Sequence, residues 1–130
     1  MVRHEAGEAL GAIGIKTSEV VNVLTQYSKD PHPEVAETCI LALNRLEWLE
    51  NKAKESEKLS ENPYYSVDPA PPHANNDVKF LKETLLNENI DMFERYRAMF
   101  QLRNNGSDDA ILALCSGNFE ILKKILKSNS

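Results

Sequence analysis

Cysteine, tryptophan and long apolar runs are all scarce in this sequence. Its two cysteines, Cys39 and Cys115, form no Cys-x-x-Cys pair, which excludes a disulfide scaffold or a cysteine-built zinc site. Each sits in an apolar helical pattern and reads as a buried, reduced thiol, which fits a cytoplasmic home. No apolar run approaches the roughly 18 residues of a membrane span, so no membrane partner is expected. The opening Met1-Val2-Arg3-His4-Glu5 is charged, and no apolar stretch follows it as in a secretory signal. Basic residues are outnumbered by acidic ones, 15 against 20, and the net charge of −5 argues against nucleic acid, whose phosphates need clustered Lys and Arg. There is no phosphate-cradling glycine loop and no nucleophile elbow, so no catalytic nucleophile and no nucleotide-type cofactor site are assigned.

What the sequence does have is helical periodicity. At 42% hydrophobic residues over 130 positions, a core is affordable. The spacing predicts a helix over Val2–Ile13, with Ala6, Ala9, Leu10 and Ile13 on its apolar face and Gly14 as its stop. A second helix is expected over Ser18–Ser28, capped by Ser18, with Val20, Val21, Val23, Leu24 and Tyr27 on one side. Pro31-His32-Pro33 breaks the pattern, and Pro33 suits the first turn of a third helix. That helix carries the stripe Val35, Cys39, Ala42, Leu43, Leu46 and Leu49, with Trp48 anchoring its end. Residues 51–61 are mostly charged and read as a solvated helix end. Four of the six prolines (Pro63, Pro69, Pro71, Pro72) then fall within Asn62–Asn76, an extended linker of polyproline character. Helices are expected again over Asp77–Asn87, Met92–Asn104, Asp108–Ser116 and Asn118–Lys127.

An internal repeat runs through this pattern. Arg3–Leu10 aligns with Ala36–Leu43 at an offset of 33, matching Ala6 with Cys39, Ala9 with Ala42 and Leu10 with Leu43. Arg95–Leu102 shows the small-then-leucine spacing a third time. Paired helices repeating at this period make an α-solenoid, so the fold class is all-α, built of HEAT-like helical hairpins.

His4-Glu5 is the pair with chemical promise. Imidazole and carboxylate together suit iron, manganese or zinc. Neighbouring helix positions diverge by about 100°, so both reach one ion only near a helix start or in different bridging roles. Ala6 and Gly7 follow at once and would admit a close neighbour. Glu8, one turn on, can orient the imidazole or stay solvated. The pair can equally be a polar helix start, since one pair does not complete a metal site. His32 and His73 lie in proline-rich turns and are expected to be exposed, without acidic partners. Arg95, Arg97 and Arg103 could bind an anion, but ion pairs with Glu94, Asp108 or Asp109 fit them better.

Several stretches resemble one family. Met1–Gly14, with Arg3-His4-Glu5-Ala6-Gly7-Glu8, looks like a His-Glu motif of deoxyhypusine hydroxylase. Glu34–Cys39 and Arg45–Leu49 are similar to the helix ending that family's N-terminal half. Tyr65–Pro72 is similar to its linker, and Phe93–Asn104 resembles the opening repeat of its C-terminal half. The resemblance covers about residues 1–117. It implies two HEAT halves facing each other across a di-iron centre, each giving two His-Glu motifs. It also implies a dioxygen-using monooxygenase acting on the deoxyhypusine side chain of a translation factor, with carboxylates holding the substrate amine. His4 and Glu5 would then be iron ligands. Residues 1–50 would end the N-terminal half, 51–76 would be the linker, 77–117 the first C-terminal repeat and 118–130 a divergent tail. One of four motifs is present, so the resemblance points to a truncated internal fragment, expected to be inactive alone. The rival expectation is a non-catalytic HEAT-type interaction module. The oligomeric state is left open.

Overall fold

The structure, a computed structural model, describes residues 1–52 and 58–117. The described residues form helices and loops, with no strand among them. They divide into two compact units, residues 1–52 with 66–70 and residues 58–65 with 71–117.

In the first unit, α1 (Val2–Ile13) and α2 (Ser18–Tyr27) both pack on α3 (Pro33–Lys52). α1 stops at Gly14, whose φ of 74° is the left-handed conformation that closes a helix and sends its N–H to the Leu10 carbonyl. Thr17, not Ser18, caps α2: its side chain accepts from the Val20 amide at 3.3 Å. The two hydroxyl residues are adjacent, and the pattern alone did not separate them. Pro33 opens α3 as expected. The core gathers Leu24, Val35, Cys39, Ala42 and Leu46, flanked by Leu10, Val20, Tyr27 and Leu43.

The buried face of α1 differs from the expected one. Ala6, Ala9 and Ile13 are exposed, and the helix buries Gly7 and Gly11 instead. A Cβ on Gly11 would lie 3.0 Å from Ala42 Cβ and 3.2 Å from its Cα, and one on Gly7 would lie 3.2 Å from Cys39 Sγ. α3 therefore lies directly along a ridge of glycines. Periodicity counts apolar side chains, and a face made by having none is invisible to it.

In the second unit, α4 (Val78–Leu86) and α5 (Met92–Asn105) pack together, and residues 108–117 continue as helix after Gly106. Asp77 and Asp91 cap α4 and α5 through bonds from the Phe80 and Phe93 amides. Leu81, Ala98, Leu102, Ala110 and Ala113 make the core. Ala98 and Leu102 are the small-then-leucine pair of the third repeat copy, and both are fully buried.

The proline-rich stretch is non-helical, and it is held to the helices. In the first unit Arg45 donates from Nε to the Asp68 carbonyl at 3.1 Å and from Nη1 to the Gly11 carbonyl. In the second, Ser60 donates to buried Gln101 at 2.7 Å, Gln101 donates to Asn76 at 2.8 Å, and the His73 amide donates to the Arg97 carbonyl at 3.1 Å. The helix expected at Asn118–Lys127, the divergent tail, and part of the charged stretch fall outside the described residues. No described helix is long and apolar enough to cross a membrane.

Candidate metal centre

Because α1 begins at Val2, His4 and Glu5 stand in its first turn, where backbone amides still lack partners and negative charge is favoured. The convergence that neighbouring positions need is reached there: His4 Nδ1 lies 3.3 Å from Glu5 Oε1. Glu8, one turn on, joins them. One ligand atom from each of His4, Glu5 and Glu8 falls within 4.8 Å of the other two. Among the described residues this is the one group of three or more such side chains close enough to share an ion. Glu8 thus offers a third candidate ligand atom, where its spacing had suggested an orienting role or solvation. The imidazole is about one-third exposed and the Glu5 carboxylate two-thirds, so the cluster opens to solvent on one side. On the other, Gly7 seats the helix on α3 beside Cys39. The donor set, one nitrogen and two carboxylates, has the chemistry of a site for iron, manganese or zinc.

Next to the cluster is an ionic clamp. Arg3 Nη1 donates to Asp30 Oδ2, and the Asp30 side chain is only 3% exposed. The other oxygen of Asp30 accepts from the His32 amide at 2.9 Å and faces His32 Nδ1 at 2.9 Å. These bonds hold the Asp30 carboxyl below its ordinary range, the His32 backbone bond contributing most. Nothing in the hydropathy pattern marked Asp30. The available signal was its place before Pro31 in a tight turn.

Other candidates resolve differently. His32 is exposed as expected, but it does have an acidic partner. His73 departs from expectation: its side chain is 20% exposed, tilted against Phe80 with ring centroids 5.2 Å apart, its Nδ1 accepts from the Asn75 amide, and Nε2 lies 4.0 Å from Glu94. Sequence distance hid Glu94, which α5 brings back to the loop. Arg97 pairs with Glu94 at 3.3 Å as expected, while Arg95 donates to the Leu85 carbonyl and Arg103 lies over the rings of Tyr64 and Phe100. Trp48 is half-buried near the end of α3, with Lys52 Nζ 5.0 Å from its ring centroid. Cys39 is buried and burial pushes its thiol upward, whereas Cys115, expected inside, is exposed on the outer side of the last described helix; both are free thiols.

Residues 94–117, which hold most of α5 and the helix after it, match the family model of the PBS lyase HEAT-like repeat. Over 117 residues the chain is 59% identical to deoxyhypusine hydroxylase of Homo sapiens, covering 90% of this chain and 37% of the human protein. The protein of the same name from Rattus norvegicus is 60% identical over 117 residues, with the same coverage. The solved structure of human deoxyhypusine hydroxylase in complex with glycerol superimposes with a TM-score of 0.78 at 58% identity, over 88% of this chain and 38% of that one. The chain thus spans a little over a third of the length of the relatives it matches.

Proposed function

We propose, from the close kinship of this chain with part of the deoxyhypusine hydroxylases, that it contributes a metal-binding portion of an iron-dependent monooxygenase. That enzyme would hydroxylate the deoxyhypusine side chain of a translation factor, in the cytoplasm. The observation that carries this reading is the gathering of His4, Glu5 and Glu8 on one helix face, in a chain nine-tenths of which matches those enzymes. His4 would supply an imidazole nitrogen, and Glu5 and Glu8 carboxylate oxygens. When bound, iron supplies the activation of dioxygen that lets one oxygen atom enter an unactivated C–H bond. The protein's own part is placement. The Gly7–Gly11 ridge sets α1 so close to α3 that the ligand-bearing turn is backed by a packed helix. Two free cysteines fit a reducing compartment.

A chimera tests this. The matched stretch of the human enzyme is replaced by this chain's sequence, His4 and Glu5 included. Hydroxylation of a deoxyhypusine-bearing protein is then followed by mass spectrometry. The chimera should form product, and His4→Ala or Glu5→Ala within it should lower the rate about a hundredfold or more. A folded chimera without activity, or one indifferent to both substitutions, would overturn the reading.

A further inference from the structure

We propose that Arg3 and Asp30 are positioning residues for the metal ligands: their ion pair holds the first turn of α1, and with it His4 and Glu5, in binding geometry. The inference rests on the reading of His4 and Glu5 as ligands. The amides of a helix's first turn have no partners within the helix, and His4 and Glu5 both stand on that turn of α1. Arg3 lies within it, adjacent to His4, and reaches the turn between α2 and α3, 27 residues away.

An exposed ion pair would be a weak tether. This one is anchored at its far end. Asp30 is fixed by its own amide bond to the Tyr27 carbonyl at 3.0 Å and by the His32 amide on Oδ1. His32 Nδ1 lies 2.9 Å from the same oxygen and 3.4 Å from Arg3 Nη2, so the ring packs against both partners of the ion pair. The repeat adds a contrast. At the offset of 33, Ala36 stands where Arg3 does, and Glu37-Thr38 where His4-Glu5 does, so that copy has neither the ligand pair nor the arginine. Arg95, at the same register in the third copy, goes instead to the Leu85 carbonyl.

The experiment is a titration of the full 130-residue chain with Co²⁺, followed by paramagnetic broadening of the His4 imidazole signals. Folding is checked by circular dichroism at the same temperature. Asp30→Asn, Arg3→Met and Arg3→Lys should each weaken Co²⁺ binding about tenfold while the chain stays folded. Arg3→Met sets the sign against simple electrostatics: removing a positive charge beside the site would tighten cation binding, whereas losing the clamp loosens it. Arg3→Lys keeps the charge and the helix, so weakened binding there reports the lost guanidinium fork. Tighter or unchanged binding in folded Arg3→Met and Arg3→Lys would overturn the proposal. Wild-type broadening no greater than that of His4→Ala would overturn the metal reading itself, a separate outcome.

Discussion

Replacing Gly11 with alanine sets two effects against each other. Alanine is the better helix former, by about 1 kcal/mol. Its methyl group would stand 3.0 Å from Ala42 Cβ and 3.2 Å from Ala42 Cα, atoms that cannot swing aside. Overpacking of that kind costs about 1–3 kcal/mol, so Gly11→Ala should lower stability in urea denaturation. Gly7→Ala meets side-chain atoms of Cys39 and Thr38 at 3.2 and 3.3 Å, which can yield, and should cost less. The reverse order would contradict the packing described. Asp30 makes a second prediction. Its carboxyl is held below the ordinary value of 3.8, chiefly by the His32 amide. A group lowered in the folded state stabilises above its unfolded value and loses that contribution as pH falls through its folded value. Asp30→Asn should therefore be less stable than wild type at neutral pH, with the two converging in strong acid. A gap that does not narrow as the pH is lowered into strong acid would show that the charge is not the cause. Neither residue stood out in the sequence: a glycine face has no hydropathy, and a carboxylate of this kind is recognised by its partners, of which Arg3 lies 27 residues away.

Helices were the most legible elements, because caps and stops are local. Gly14, Pro33, Asp77 and the interval Met92–Asn104 fall where the chain chemistry put them, the cap of α2 is Thr17 and not Ser18, and residues 58–61, read as part of a solvated helix end, are non-helical. The proline-rich stretch was legible as non-helical, but its attachments were not, since Gln101, Arg97 and Arg45 that hold it lie on distant helices. This sharpens where a protease should act. Tyr64 and Tyr65 are 62% and 95% exposed, and Tyr65 has a left-handed φ of 55°. Limited chymotrypsin should cut first at these tyrosines, as read by mass spectrometry of the early fragments. First cuts within α5, for example after Phe93, would contradict the placement of this loop.

For the whole molecule, the repeat architecture was readable because the small-then-leucine spacing recurs three times; it falls in the core at Cys39 and Ala42 and at Ala98 and Leu102, whereas Ala6 and Ala9 of the first copy are exposed. The candidate site was readable in part. His4 and Glu5 were named by the motif, and Glu8 needed the helix to bring it within 4.8 Å. These three side chains bring one imidazole, while iron that activates dioxygen commonly uses two histidines and a carboxylate, and a dinuclear centre more donors still. The chain is therefore expected to hold metal at one site without turning over substrate as an unaided monomer. The most direct measurement is ferrous iron retained per chain after anaerobic gel filtration of the monomer, for wild type and for the His4→Ala, Glu5→Ala double variant. Wild type should retain iron at a single site, up to about one ion per chain, and the double variant should lose it. Equal iron in both proteins would contradict the assignment of His4 and Glu5 as metal ligands.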